Sequence, residues 1–77
     1  MAEERKLIDA RGSLCPGPLM ALIKNIKRAP IGAEFEVWSS DKGTRRDLPK
    51  WVEKAKHELI EIVEEDDYNR FIVRKAR

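Results

Sequence analysis

The feature that most constrains the fold is the stretch Leu14–Leu19, where a cysteine is followed by two prolines that flank a glycine. An apolar pattern at helical spacing begins at its end, with Leu19, Leu22, Ile23 and Ile26. Proline is tolerated in the first turn of a helix, because the N–H groups there have no intrahelical partner. The stretch therefore predicts a helix whose first residue is Pro16, with Pro18 third and Cys15 as the N-cap.

Cys15 is the only cysteine among the 77 residues. As an N-cap, its sulfur would face the N–H of Gly17 and the positive end of a helix dipole, which stabilises an anion by about 0.3–1 kcal/mol. A cation from Arg11 or Lys24 would add to this effect. The rigid, proline-flanked position offers the sulfur little to pack against. The pattern therefore favours a reactive thiolate over a buried structural cysteine.

Length and charge suggest one small domain, residues 1–77, with residues 1–5 frayed. No stretch has the apolar length of a membrane span or the pattern of a signal peptide, so we expect a cytoplasmic protein. One cysteine and one histidine cannot fill a tetrahedral metal shell, so we expect no metal and no cofactor. Residues 1–57 hold more basic than acidic side chains. This excess of positive charge would suit an acidic protein partner or RNA, although solvated helix faces produce the same excess.

The first half of the chain predicts a strand, a helix and a second strand. Residues 6–10 form a short strand, and a helix runs from Pro16 to about Arg28. Residues 34–39 alternate cleanly, which predicts a strand with Phe35 and Val37 facing inward. Trp38 then points to the other side, where a one-sided sheet would leave it partly exposed, either as an edge covering or as part of a partner surface.

The second half predicts a helix and a hairpin. Residues 41–44 have the composition of a turn. Asp47 is then the N-cap of a second helix, with Pro49 in its first turn. Residues 59–63 and 71–73 form a hairpin around an acidic turn. The order β-α-β-α-β-β predicts an α+β, two-layer sandwich, with two helices on one face of a four-stranded sheet.

Two blocks of sequence resemble the TusA/SirA family of sulfur carrier proteins. The run from Leu7 to Leu19, followed by Lys24, is similar to the family's Cys-Pro-x-Pro signature. Asp41, followed by Asp47-Leu48-Pro49 and Trp51, is similar to its second block. The chain departs from the family pattern at Lys42, where proline is usual, and at Lys56, where glycine is usual.

The resemblance implies a mixed sheet and a function in sulfur relay. Cys15 would accept sulfane sulfur as a persulfide and pass it to an acceptor protein. The protein would be a sulfurtransferase-like persulfide carrier rather than a complete enzyme. Its partners would be a cysteine desulfurase or rhodanese-like donor and a downstream acceptor, in tRNA thiolation, cofactor biosynthesis or sulfur oxidation. We expect no membrane partner and no direct binding of nucleic acid.

The candidate site centres on Cys15 as the residue that carries the sulfur. The residues expected to support the cysteine loop are Arg11, Gly12, Pro16, Gly17 and Pro18. Those expected to contact a partner or order a loop are Lys24, Asp41, Arg45, Arg46 and Asp47. The alternative function is an RNA- or protein-binding regulatory module in which Cys15 is only structural.

Overall fold

The computed structural model describes residues 5–12 and 17–77 and confirms the predicted α+β fold. Its elements are β1 (Lys6–Asp9), α1 (Gly17–Lys27), β2 (Glu34–Ser39), α2 (Lys42–Lys54), β3 (Glu58–Glu64) and β4 (Asn69–Arg74). The strands form one four-stranded sheet in the order β1-β2-β4-β3. Its two helices pack on one face, so the molecule has two layers and leaves the other face of the sheet open.

The sheet is mixed, as expected. Strand β1 is parallel to β2, because α1 carries the chain back across the sheet between them. Strand β4 is antiparallel to both β2 and β3. The Glu65 N–H donates to the Tyr68 carbonyl at 2.9 Å, which closes the predicted hairpin between β3 and β4.

The core lies between the sheet and the helices. Phe35 and Val37 are 2% and 0% exposed, which confirms their predicted inward direction. They pack with side chains of both helices and of β4, namely Leu22, Ile26, Leu48, Val52, Phe71 and Val73. Strand alternation then places Glu36 and Trp38 on the open face, so the predicted direction of Trp38 is also confirmed.

The start of α2 corrects three predictions. Asp41 is the N-cap, and its carboxylate accepts a hydrogen bond from the Thr44 N–H at 3.0 Å. The expected turn over residues 41–44 is therefore the N-cap and first turn of the helix. Asp47 and Pro49 lie inside α2 rather than at its start. The error has a physical cause, since aspartate serves equally in turns and at N-caps.

At the end of α2, Lys56 occupies a backbone position that favours glycine, the residue usual there in the family. The N–H of Lys56 donates to the Glu53 carbonyl at 3.0 Å, and the N–H of His57 donates to the Val52 carbonyl, also at 3.0 Å. This pair of hydrogen bonds is the Schellman motif, which requires a left-handed residue just after the helix. Lys56 takes that conformation, with φ of 65°, although it is not glycine.

Candidate functional site

We call residues 13–16 the cysteine segment; in the structure it lies between Gly12 and Gly17. Gly12 follows β1, and Gly17 is the first described residue of α1, which carries Pro18 buried in its first turn. Cys15 and Pro16 lie outside the described residues, so the expected N-cap role of Cys15 and the expected helix start at Pro16 stay predictions. What the structure gives is the anchoring of the chain on either side of them.

The chain is held tightly where it leaves β1. Three successive N–H groups all find acceptors: Ala10 donates to the Trp38 carbonyl at 2.9 Å, Arg11 to Asp9 Oδ1 at 3.2 Å, and Gly12 to Ser40 Oγ at 3.1 Å. Gly12 has a φ of 87°, a left-handed conformation that glycine adopts without strain. The backbone that leads into the cysteine segment is thus fixed as far as Gly12.

The side chain of Arg11 lies on the open face of the sheet. Its Nε and Nη2 each donate to a different oxygen of Asp9 at 2.9 Å. Its Cζ lies 4.8 Å from the centre of the Trp38 ring and 5.2 Å from that of Tyr68. The hydrogen bond from Arg11 lowers the pKa of Asp9, and the same bond raises the pKa of Arg11.

Trp38 is therefore covered from within the molecule. Its ring centre lies 5.3 Å from that of Tyr68, in a tilted arrangement, with the Arg11 guanidinium over both rings. These contacts are compatible with the predicted covering role of Trp38, and its predicted part in a partner surface stays a prediction. We call Asp9, Arg11, Trp38 and Tyr68 the Arg11 clamp.

Glu36 is the residue that sequence analysis missed. It is 8% exposed on the open face and accepts hydrogen bonds from Arg70 Nε at 2.7 Å, Trp38 Nε1 at 2.6 Å and Arg5 Nη1 at 3.3 Å. The hydrogen bond from Arg70 is the largest cause that lowers the pKa of Glu36 to about 2. Its alternating position in β2 shows which face it occupies, but its arginine partners come from distant parts of the chain.

The residues predicted to contact a partner or order a loop do not form one surface. Arg45 and Arg46 lie together with Lys42 and Asn69 around an open cavity of about 600 Å³ beside the first turns of α2. Arg45 forms an ion pair with Glu64, and Arg46 forms one with Asp47 at 3.3 Å. Asp41 serves as the helix cap, and Lys42 is the basic residue of this cavity that sequence analysis overlooked.

Lys24 belongs to a second surface, on the outer side of α1. An open cavity of about 570 Å³ there is lined by apolar and basic side chains, which include Met20, Ile23, Lys24, Lys27 and Arg28. Met20 is 55% exposed. Among residues 5–12 and 17–77 no group of three histidine, cysteine or acidic residues could hold a metal ion. No helix within those ranges has the length and apolar character needed to cross a membrane.

Comparisons with known proteins agree with this fold and these motifs. The model of the TusA sulfurtransferase family matches residues 6–75. A relative from Archaeoglobus fulgidus, provisionally named a sulfur carrier protein, is 51% identical and covers 92% of this chain and 97% of its own length. The sulfur carrier protein TusA of Pseudomonas fluorescens is 37% identical, over 88% of this chain and 82% of its own.

A solved structure is similar in fold. The crystal structure of the SirA-like protein from Desulfitobacterium hafniense has a TM-score of 0.80 and covers 92% of this chain and 97% of its own. At 23% identity it supports the architecture alone. The family match over nearly the whole chain, together with these relatives, shows that the chain belongs to the TusA family of sulfurtransferases.

Proposed function

We propose that the protein is a sulfur carrier that holds sulfane sulfur on Cys15 as a persulfide. The observation that carries this proposal is the Cys15–Pro18 motif in a chain that matches the TusA family from residue 6 to residue 75. The Cys15 thiolate would attack the outer sulfur of a donor persulfide. A new S–S bond forms at Cys15, the S–S bond of the donor breaks, and the donor's cysteine thiolate leaves. No external oxidant or reductant is needed.

The anchoring on both sides of the cysteine segment supports this role. A carrier must offer one sulfur to two different partners, so it benefits from a supported segment at the surface of the molecule. Gly12 is bound to Ser40 on one side, and α1, described from Gly17 onward, lies on the other. We infer that Arg11, Gly12, Pro16, Gly17 and Pro18 support the cysteine loop in this sense.

The distribution of charge supports a helical docking face. Helix α1 has two lysines and no acidic residue, and α2 has five basic residues against two acidic ones. The four strands have three basic residues against six acidic ones. A partner with an acidic surface would therefore approach the helical layer, where Lys24, Arg45 and Arg46 lie.

We infer that the partners are a cysteine desulfurase or rhodanese-like donor and a downstream acceptor protein. Delivery of sulfur for tRNA thiolation is one pathway that such a carrier would serve, and a cytoplasmic location would suit it. Direct binding of nucleic acid is not part of this proposal, because transfer between protein cysteines needs only protein contacts.

Intact-mass analysis tests the proposal. After incubation with a persulfide donor, the wild-type protein should gain the mass of one sulfur atom, and a reductant should remove it. Cys15→Ser should load nothing, because the remaining sulfur atoms are thioethers of methionine. Serine is a good N-cap, so this variant should keep its fold, which circular dichroism can check. If Cys15→Ser kept full activity in its pathway, the binding-module function would replace the carrier function.

A further inference from the structure

The Arg11 guanidinium and the first turn of α1 lie on opposite faces of the sheet. Asp9 and Trp38 are partners in the register between β1 and β2, and both belong to the open face. Arg11 binds Asp9 through two hydrogen bonds of 2.9 Å and stacks on Trp38 and Tyr68. Helix α1 packs against the other face, through Leu22 and Ile26. The charge of Arg11 is thus directed away from the helix that follows the cysteine segment.

This arrangement fixes the backbone rather than supplying a charge to the helix. A guanidinium is planar, so a bidentate carboxylate and two aromatic rings together define its position and orientation. The same residue donates its N–H to Asp9, and the next residue, Gly12, donates to Ser40 Oγ. Side chain and backbone of Arg11 therefore both hold the chain at residues 9–12, directly before the cysteine segment.

We propose that Arg11 is a positioning residue for sulfur transfer, acting on Cys15 through the Arg11 clamp and not as a counter-ion of the thiolate. This inference rests on the proposed carrier function. Transfer of sulfur between two proteins requires the attacking sulfur to meet the donor sulfur in a narrow range of distance and angle. Release of the clamp allows the backbone of residues 11 and 12 more conformations, so fewer encounters of Cys15 with the donor are productive.

The two roles of Arg11 differ in how lysine behaves. Lysine keeps the positive charge but has no planar fork, so it neither chelates Asp9 nor stacks in the same way. A counter-ion role predicts that Arg11→Lys works and Arg11→Met fails. A positioning role predicts that both variants fail alike. Trp38→Leu, which removes the larger ring under the guanidinium, should then share their defect.

The experiment measures two rates for each variant. The first is sulfur uptake from a cysteine desulfurase supplied with cysteine, followed by intact mass. The second is alkylation of Cys15 by iodoacetamide as a function of pH, which reports the thiolate fraction. We expect Arg11→Lys, Arg11→Met and Trp38→Leu to slow uptake about tenfold, within the range that small misplacements cost. The midpoint of the alkylation profile should stay as in the wild type.

Two further variants keep the test sharp. Asp9→Asn preserves shape and removes only the carboxylate charge that orients Arg11, so it should slow uptake even if a larger change disturbs folding. Arg74→Met serves as the matched control, because Arg74 pairs with Glu58 at the other end of the sheet's open face, at 3.2 Å. It should take up sulfur at the wild-type rate.

Each contrary result has a distinct meaning. Wild-type uptake by Arg11→Lys, with a raised alkylation midpoint in Arg11→Met, would make Arg11 a counter-ion and overturn the proposal. Wild-type uptake by every clamp variant would leave Arg11 a purely structural residue and overturn it as well. Absence of uptake in the wild-type protein would instead remove the carrier function itself, and the positioning role with it.

Discussion

At the scale of single residues, the open face of the sheet is organised by Glu36. One carboxylate accepts hydrogen bonds from two arginines and a tryptophan that come from three separate parts of the chain. A buried carboxylate is stable only when such partners satisfy it. Trp38 belongs both to this network and to the Arg11 clamp, because it donates to Glu36 and lies under the Arg11 guanidinium. The carboxylate of Glu36 therefore also helps to orient the clamp.

Substitution of Glu36 should reduce stability in a pH-dependent way. The pKa of Glu36 is lowered from 4.5 to about 2 in the folded protein. We expect Glu36→Gln to lower the free energy of unfolding by roughly 3 kcal/mol at neutral pH, because the difference between a pKa of 4.5 and one of about 2, at about 1.4 kcal/mol per pKa unit, corresponds to about 3 kcal/mol. Urea unfolding followed by tryptophan fluorescence measures the difference.

The sign of the pH effect follows from the lowered pKa. The stabilisation is fully present above the unfolded value of 4.5 and is lost as the pH falls toward about 2. The wild-type and Glu36→Gln curves should therefore converge on acidification. Glu58→Gln is the control, because Glu58 and Arg74 form an exposed pair, which contributes about 1 kcal/mol or less. Equal losses for both variants at neutral pH would contradict the role given to Glu36.

At the scale of elements, both ends of α2 depend on one residue each. Asp41 caps the start, and Lys56 holds the left-handed position after the end. The family's usual proline at position 42 would stand at the first position of the helix, where proline is favoured. The helix tolerates Lys42 there, because the cap itself comes from Asp41.

Removal of the Asp41 side chain should weaken α2. We expect Asp41→Ala to lower the free energy of unfolding by about 0.5–2 kcal/mol, the usual cost of a lost N-cap. The Asp41 carboxylate also accepts a hydrogen bond from the Thr44 hydroxyl at 3.3 Å, and Thr44 is fully buried, which favours the upper part of that range. Asp41→Asn keeps the cap and should cost much less in chemical denaturation. Equal costs for alanine and asparagine would show that capping is not what Asp41 contributes.

Glycine at position 56 should stabilise the protein. A residue with a β-carbon pays about 1–2 kcal/mol in the left-handed region, whereas glycine pays mainly in chain entropy. We therefore expect Lys56→Gly to raise the free energy of unfolding by about 0.5–1 kcal/mol, measured as a higher denaturation midpoint. Lys56→Ala keeps the β-carbon and should bring no gain. A gain from alanine equal to that from glycine would locate the effect in the lysine side chain instead.

At the scale of the whole molecule, charge is divided between the two layers. The helical layer is basic and the strands are acidic. Charged side chains on the open face form ion pairs within the protein, as Glu36 does with Arg5 and Arg70. The two helices keep a net positive charge even with the ion pairs of Arg45 and Arg46 counted, and this makes them the side on which an acidic partner would bind.

Charge reversal tests which layer meets the sulfur donor. We expect Arg46→Glu, on the helical side, to weaken association with a cysteine desulfurase by about 2–10-fold at low salt. The difference should shrink between about 0.1 M and 1 M salt, where the Debye length falls from about 10 Å to 3 Å. Arg74→Glu, on the open face, should bind the donor as the wild type does. A larger loss for Arg74→Glu in the measured dissociation constants would place the donor on the sheet instead.

Local chemistry in the sequence determined the order of elements, the inward face of β2 and the hairpin. The helical spacing of apolar residues, strand alternation and the turn composition of the hairpin each act within a few residues, so they could be recognised without a structure. Only tertiary structure decided between Asp41 and Asp47 as the N-cap of α2. Both residues are aspartates, and each stands at a position where the local sequence would allow a cap. Tertiary structure alone also brought Arg70 to Glu36, 34 residues away, and Tyr68 to Trp38 and Arg11. Such partners depend on the register between β2 and β4, which no local pattern encodes.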